Sequence, residues 1–330
     1  YRGALSIDNY IMRGKAEGEN YQPLFTCHGF RYISITGLKA PLPLDQVKGL
    51  VLESIGETTS SYECSNEHIN RLFLNIQWGQ RGNFQTVPTD CPQRDERLGW
   101  TGDTQIFCGA AAYFVNAYGF LSKWMGDMRD SQSETGGFPG VAPYAQYGNE
   151  KMRLGWADAG IIVPWTVWKQ FGDKQIIDES WASMEFYMNH VNETKYDHVA
   201  LRAENGNFQY ADWLSYEALE STTGQCWGPN GVKPEAVHYW SYLSASYWAL
   251  DATYMADMAK ATGRDAARYE QMAAEAKAYL QENFLKADGS FQLDVLNTMQ
   301  TPALFALKNG LVEGDAKAAM VARLRKNFQE

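Results

Sequence analysis

The spacing of apolar residues divides the chain into an extended part and a helical part. In the first part, Phe30–Thr36 alternates between apolar and polar positions and is rich in β-branched residues, and Leu50–Ile55 is a shorter stretch of the same kind. Period-two alternation of this kind predicts β-strands. Three or four strands are too few to close a sandwich. We therefore expect residues 1–55 to be the end of a β domain that starts outside the chain.

From Ser65 onward, apolar residues recur with the period of an α-helix. Ser65 can cap the first helix, and Asp103 can cap the second. The apolar face of the first helix is predicted to carry Ile69, Leu72, Phe73 and Ile76. Further helices are predicted near residues 118–129, 158–171, 174–192, 235–261, 264–284, 299–311 and 314–328. The pattern thus predicts about nine helices.

Two of these helices differ in a way that indicates the architecture. The segment His238–Met258 is apolar nearly all round, which is typical of a buried inner helix. The segment Asp265–Phe284 has one apolar stripe, with Glu270, Lys277 and Glu282 on the other side, which is typical of an outer helix. An inner helix followed by an outer one is the repeat of a toroid of helical hairpins. Because a closed ring needs six hairpins, we predict a mainly α, (α/α)6 toroid that is incomplete within this chain.

Composition narrows the function classes. The 330 residues are 45% hydrophobic and 21% charged, which is typical of a globular chain, and no apolar run is long enough to span a membrane. The net charge of −10 repels phosphate backbones and anionic membranes, so we expect no nucleic acid partner and no membrane insertion. Aromatic residues make up 14% of the chain. Most of them belong to the core, yet an acidic, Trp-rich protein also suits sugar recognition.

The cysteines and histidines indicate no metal and no disulfide framework. The five cysteines are odd in number and contain no C-x-x-C pair, and the five histidines have no spacing typical of metal ligands. We therefore expect buried free thiols, no structural metal and no cofactor. The cysteines are Cys27, Cys64, Cys91, Cys108 and Cys226.

The densest polar cluster lies between Thr89 and Asp103. It holds four carboxylates, two arginines and one tryptophan, and three Pro or Gly residues interrupt regular structure there. Asp90, Glu96 and Asp103 are too far apart for one helix or strand to present them together, but a loop could gather them. Crowded carboxylates favour a raised pKa in one member of the group, as a general acid requires. The alternative is a solvated charged turn in which Asp103 only caps a helix.

Two smaller segments pair a tryptophan with an aspartate. Trp156 and Asp158 precede an apolar helical stretch, and Asp212 and Trp213 follow a glycine-containing turn. Each aspartate could be a helix cap beside a packed ring. Together with Trp100, the pairs also fit loops that line a pocket at one end of a toroid.

The fourteen residues Asp90–Asp103, which read DCPQRDERLGWTGD, closely resemble the signature of the family 78 glycoside hydrolases, the bacterial and fungal α-L-rhamnosidases. Residues Phe25–Tyr32 resemble the end of the β-sandwich domain that precedes their catalytic (α/α)6 barrel. Gly155–Asp158 and Asp212–Leu214 are similar to stretches of that barrel. The resemblance extends from about Ile7 to the end of the chain. It implies the last strands of a β-sandwich domain over residues 1–55 and a catalytic barrel over residues 56–330, truncated before ring closure.

The resemblance also implies roles for individual residues. Glu96 corresponds to the general acid that protonates the glycosidic oxygen. Asp90 and Asp103 correspond to carboxylates that bind rhamnose hydroxyls, and Arg94 to a further polar contact. The family inverts the anomeric configuration, with a second carboxylate about 6.5–9.5 Å from the acid to activate water.

The aromatic wall of the sugar pocket is implied in the same way. Trp100, Trp156 and Trp213 correspond to that wall, with Asp158 beside it as a further substrate-binding residue. Rhamnose is a 6-deoxy sugar, so its methyl group suits an apolar wall while its hydroxyls suit carboxylates. The implied partner is a small-molecule or oligosaccharide rhamnoside, with a homodimer left open and both the bacterial cytoplasm and the periplasm open as compartments.

One departure from the family concerns the general base. In the family this is a Glu beside a Trp toward the C-terminal end of the barrel, and nothing downstream of Tyr254 matches it. We therefore expect the base to lie outside this chain. The alternatives are a non-catalytic sugar-binding (α/α)6 protein and an (α/α)6 enzyme for another sugar. A terpene-type helical enzyme would need an Asp-Asp-x-x-Asp run, which the sequence lacks.

Overall fold

The computed structural model describes residues 3, 5–145, 155–194, 210, 212–213, 227–228 and 231–327. These residues contain nine α-helices, as the apolar period predicts. The helices are α1 (Glu67–Asn83), α2 (Thr101–Phe114), α3 (Tyr118–Asp130), α4 (Ala159–Phe171), α5 (Gln175–Thr194), α6 (Pro234–Ala261), α7 (Ala267–Phe284), α8 (Gln300–Lys308) and α9 (Gly314–Asn327). No helix of the described residues is both long enough and apolar enough to cross a membrane.

Strands are few and short in the described residues. β1 (Phe84–Gln85) pairs antiparallel with β2 (Val87–Pro88), and β3 (Trp227–Gly228) pairs antiparallel with β4 (Gly231–Val232). The described part of residues 1–55 contains a 3-10 turn at Leu44–Gln46 and no paired strand.

The alternation at residues 30–36 and 50–55 therefore does not produce ladders here. Phe30 and Tyr32 are 59% and 83% exposed, so neither a neighbouring strand nor a packed face stabilises an extended conformation. The second stretch instead runs beside β1, where the Ser54 amide donates to the Phe84 carbonyl over 2.8 Å.

The chain divides into two compact units. The first comprises residues 1–100 and 110–120, and the second comprises residues 101–109 and 121–330. In the first unit, the N-cap of α1 is Asn66 and not Ser65, because the Asn66 side chain accepts the amide hydrogens of His68 and Ile69. Phe73 of α1 packs against Phe114, with ring centroids 4.8 Å apart.

The second unit consists of helical hairpins. α4 packs on α5, α6 on α7 and α8 on α9. α6 is buried nearly all round, whereas α7 buries one stripe that includes Tyr269, Met272, Ala276 and Leu280. The predicted inner and outer helices are thus confirmed, since the apolar pattern follows the buried faces.

Candidate functional site

The loop between β2 and α2, in the first unit, closes on Asp90. The Asp90 amide donates to the Leu98 carbonyl over 3.1 Å, and the Leu98 amide donates to Asp90 Oδ1 over 2.9 Å. Arg97 stands at φ 49°, in the left-handed region, where the loop turns back. The enclosed residues therefore project their side chains from a short loop whose two ends are joined.

Arg94 joins two carboxylates within this loop. Its Nη2 lies 3.0 Å from Asp90 Oδ2, and its Nε donates to Glu96 Oε2 over 3.0 Å. The indole Nε1 of Trp100 donates to the other Glu96 oxygen over 2.9 Å. The side chains of Asp90 and Glu96 are only 6% and 10% exposed. The loop thus gathers residues that neither a helix nor a strand could present together, and it fixes the orientation of the Glu96 carboxylate.

A segment near the start of the chain supports the loop from outside. Arg97 Nη1 donates to the Cys27 carbonyl over 2.7 Å. Gly29 packs so closely that a Cβ there would lie 2.7 Å from the Pro92 carbonyl oxygen, so only glycine fits. Cys27 and Gly29 therefore contact the Asp90 loop inside the first unit.

The donor atoms of Asp90, Cys91 and Glu96 lie within 4.8 Å of one another, which is the geometry of a potential metal site. The chemistry of the set does not favour one. Burial raises the pKa of the Cys91 thiol, and a protonated thiol is a poor ligand. The Arg94 guanidinium already supplies a positive charge to both carboxylates, so a cation would compete with it.

α2 starts three residues earlier than a helix capped by Asp103 would. Its N-cap is Trp100, which has no side-chain capping bond, and its first residue, Thr101, donates its hydroxyl to the Pro139 and Gly140 carbonyls over 3.1 and 3.0 Å. Asp103 lies in the first turn of α2 and is exposed. The interpretation of Asp103 as a helix cap is therefore wrong, and its carboxylate lies where the helix dipole favours negative charge.

Trp156, in the second unit, packs directly on α2. A Cβ at Gly102 would lie 2.4 Å from the Trp156 ring, so the ring occupies the space that the missing side chain leaves. The Trp156 ring centroid is 4.8 Å from that of Tyr210 and 6.3 Å from that of Trp213. Trp213 is 46% exposed, whereas Trp156 is almost buried. The two Trp-Asp segments thus meet in one aromatic cluster, which Tyr210 completes.

Asp158 is buried at the start of α4. Its Oδ2 accepts the Gly155 amide over 2.8 Å and its Oδ1 accepts the Tyr187 hydroxyl over 2.9 Å. The side chain makes no capping bond to α4, so it holds the preceding turn and does not cap the helix. Its predicted role as a direct sugar contact stays a prediction.

A second buried carboxyl, Asp251 of α6, interacts with Asp158. Burial raises the pKa of both groups, and that of Asp251 rises well above its usual value because the Asp158 charge adds to burial. Neither Asp251 nor Tyr210 was predicted from the sequence as a site residue. The available signals were an acidic residue within a nearly continuous apolar stretch of α6, and a tyrosine two residues before the Asp212-Trp213 pair.

The structure therefore brings the predicted residues together in two sets. Asp90, Arg94, Glu96 and Trp100 are joined by hydrogen bonds in the first unit. In the second unit, Trp156 packs against Trp213 and Gly102, and the turn that carries it is held by Asp158. Asp103 follows Gly102 in α2.

Comparisons with known proteins agree with the family signature in the loop. A family model described as the bacterial alpha-L-rhamnosidase 6 hairpin glycosidase domain matches residues 57–330. A second, described as the bacterial alpha-L-rhamnosidase concanavalin-like domain, matches residues 1–53. The fold class is accordingly the mainly helical six-hairpin, or (α/α)6, class.

Individual relatives are also named alpha-L-rhamnosidase. The chain is 35% identical to an alpha-L-rhamnosidase of Streptomyces avermitilis over 98% of this chain and 28% of the relative. It is 35% identical to one of Formosa agariphila over 100% of this chain and 34% of the relative. The crystal structure of Streptomyces avermitilis alpha-L-rhamnosidase complexed with L-rhamnose superposes with a TM-score of 0.71 at 31% identity, over 84% of this chain and 24% of that chain. This chain thus spans about a third of the length of the curated relatives it matches.

Proposed function

The chain belongs to the bacterial α-L-rhamnosidase family, and on that premise we propose that the whole protein is an inverting glycoside hydrolase that releases terminal α-L-rhamnose from rhamnosides. In this proposal Glu96 is the general acid that protonates the leaving glycosidic oxygen. The observation that carries the assignment is the fixed carboxylate of Glu96, held by Arg94 on one oxygen and by Trp100 on the other.

The neighbours of Glu96 take complementary roles. Asp90 shares the Arg94 guanidinium, so one positive charge lies between the carboxyl groups of Asp90 and Glu96. Glu96 holds its proton before the reaction, and the carboxylate that remains after proton transfer stabilises the positive charge that develops in the oxocarbenium-like transition state. We propose that Asp90, Arg94 and Asp103 bind sugar hydroxyls.

The aromatic residues provide the apolar part of the pocket in this proposal. Trp100, Trp156 and Trp213 pack against the methyl group and the C–H faces of the sugar, as aromatic rings do in carbohydrate sites. Trp213 is 46% exposed, whereas Trp156 is largely covered by Gly102 and Tyr210.

The general base is not assigned to a described residue. Since the curated relatives are about three times as long as this chain, we propose that the base is carried by the remainder of the whole protein. We further propose that residues 1–55 belong to the domain before the barrel and residues 56–330 to the barrel itself.

The test uses the full-length gene product and a chromogenic α-L-rhamnoside, with the matched β-glucoside and α-mannoside as controls. We expect selective cleavage of the rhamnoside, and proton NMR at early times is expected to detect the β-anomer of rhamnose, because inversion converts α to β. Cleavage of another glycoside in preference would favour an (α/α)6 hydrolase for a different sugar. Binding of L-rhamnose without any cleavage would favour the non-catalytic sugar-binding protein.

A further inference from the structure

Asp251 is a buried carboxyl that the proposed reaction does not use. It lies on the inner helix α6 and is only 1% exposed. Burying an ionisable group costs several kcal/mol unless the group is paired or neutral. An acid in the middle of a helix that is otherwise apolar all round therefore needs a physical reason.

The interaction partner of Asp251 is Asp158. The Asp158 charge raises the pKa of Asp251, and within the described part of the chain no donor forms a hydrogen bond with either Asp251 oxygen. Asp158 has two hydrogen-bond donors, because it accepts hydrogen bonds from the Gly155 amide and the Tyr187 hydroxyl. These two donors favour the ionised form of Asp158, and hence the proton resides on Asp251.

The groups around the pair do not change this assignment. Gln105 of α2 carries no charge, and Tyr187 of α5 donates its hydroxyl hydrogen to Asp158. Burial raises the pKa of Cys108 to about 11 and that of Tyr254 to about 12, and it also raises the pKa of Tyr247. All of these groups are therefore uncharged near neutral pH, and among them no cation is present to stabilise a second buried carboxylate.

The pair lies behind the turn that carries Trp156. Gly155 has a left-handed φ of 78°, its amide is held by Asp158, and its carbonyl accepts Gln105 Nε2 over 3.1 Å. Trp156 follows directly, with its ring on Gly102 and beside Trp213. A shift of Asp158 would therefore release one of the two hydrogen bonds on Gly155 that set the position of the Trp156 ring.

We propose that Asp251 is a positioning residue for the reaction proposed above: it shares one proton with Asp158, and the pair fixes the Gly155–Asp158 turn that presents Trp156 to the sugar. The inference rests on the proposed function. Asp251 does not contact substrate in this account but acts through Asp158.

The test compares two near-isosteric variants of the full-length protein. Asp251→Asn retains a donor for Asp158, whereas Asp251→Leu retains the shape and has no donor. We expect Asp251→Leu to raise KM for the rhamnoside, and the Kd of L-rhamnose, by about 10-fold or more, because a hydrogen bond to a charged group is lost. We expect a smaller change in kcat, and we expect Asp251→Asn to restore KM to within about threefold of the wild type.

Tyr242→Phe is the matched control. Tyr242 is also buried on α6, and its hydroxyl donates to the Pro302 carbonyl over 2.7 Å, away from the pair. Its loss costs a buried hydrogen bond and thus stability, but we expect KM to stay at the wild-type value. An Asp251→Leu variant whose KM matches that of Tyr242→Phe would overturn the proposal.

A second measurement does not depend on activity or on the folding of the Leu variant. Infrared spectra of the full-length wild type and of Asp251→Asn are recorded at neutral pH, and their difference is expected to contain the carbonyl stretch of one protonated carboxyl group, because the Glu96 carboxyl contributes equally to both spectra. A difference spectrum without this band would overturn the shared proton. A protein that has the band but cleaves no rhamnoside would contradict the proposed function and leave the shared proton intact. In that case the positioning role is tested by binding alone, and an unchanged Kd of L-rhamnose in both Asp251→Asn and Asp251→Leu would overturn it.

Discussion

Trp100 donates its indole N–H to Glu96 across 2.9 Å, and the two residues belong to one loop that Asp90 closes. This bond holds the Glu96 oxygen that Arg94 does not hold. The orientation of the carboxylate is thus determined by two donors on two different oxygens.

Removing only the N–H of Trp100 tests this relationship. Trp100→Phe keeps an aromatic ring for the sugar but leaves Oε1 of Glu96 without its indole donor. We expect kcat to fall by about 10- to 100-fold, because a hydrogen bond to a charged group contributes about 1.5–3 kcal/mol. Steady-state kinetics of the full-length protein measure the effect. Trp78→Phe, at an exposed tryptophan of α1, is the control that we expect to leave kcat unchanged.

Exchange of Arg94 for lysine separates charge from geometry. Lysine keeps the positive charge but cannot present two donors in the fixed planar arrangement that joins Asp90 to Glu96. We expect Arg94→Lys to lower kcat/KM by about 10-fold or more. Arg71→Lys, at an exposed arginine of α1, supplies the comparison. Equal kcat/KM values in the two variants would contradict a bridging role.

The contact between Gly102 and Trp156 predicts a strong effect of one methyl group. A Cβ at residue 102 would lie 2.4 Å from the indole ring, so Gly102→Ala must displace Trp156. We expect a loss of about 1–3 kcal/mol in stability and a raised Kd for L-rhamnose.

The matched control for Gly102→Ala is Gly79→Ala in α1, where nothing lies within 4 Å of an added Cβ. That change is expected to be neutral or to add about 0.5–1 kcal/mol, because alanine favours a helix interior. Calorimetric titration with L-rhamnose and thermal unfolding provide the two measurements. An undiminished affinity in Gly102→Ala would show that the position of Trp156 is unimportant for binding.

Asp251 also predicts a dependence of stability on pH. Burial and the Asp158 charge raise its pKa in the folded protein, whereas in the unfolded chain it releases its proton near pH 4. The folded state therefore binds more protons than the unfolded state above about pH 4, and stability falls as the pH rises toward the folded pKa. Asp251→Asn does not titrate. We expect its thermal stability relative to the wild type to improve between about pH 5 and about pH 8.

The control for this pH dependence is Tyr242→Phe, whose hydroxyl does not titrate in that range, because burial raises the Tyr242 pKa. Its stability difference from the wild type is expected to be constant over the same interval. A constant difference for Asp251→Asn as well would mean that Asp251 takes up no extra proton on folding.

The helices were predictable because their apolar period reports burial. The predicted segments 158–171 and 235–261 agree with α4 and α6 to within one residue at each end. The strand expected at residues 30–36 does not form in the structure, since alternation leads to a strand only where a partner strand and a packed face exist. The cap of α1 was predicted at Ser65 but lies at Asn66, because the sequence pattern cannot distinguish two adjacent residues of equal capping ability.

The sequence indicated which residues form the candidate site, but it did not indicate which hydrogen bonds join them. The density of charge between Asp90 and Asp103 indicated a functional loop, but the bridge from Arg94 to two carboxylates depends on loop closure between Asp90 and Leu98. Asp251 could not be predicted as part of a site, because the position of an acidic residue on an apolar helix does not reveal whether it faces solvent or a second carboxyl group.

The most direct test of the account is the Glu96→Gln variant of the full-length protein, measured with two leaving groups. The nitrophenolate leaving group of a nitrophenyl rhamnoside departs with little protonation. The alcohol leaving group of an alkyl rhamnoside instead needs a proton from a general acid. We predict that the variant loses about 100- to 10,000-fold in kcat/KM on the alkyl rhamnoside and much less on the nitrophenyl rhamnoside. Equal losses on both substrates, or no loss on either, would contradict the assignment of Glu96 as the acid.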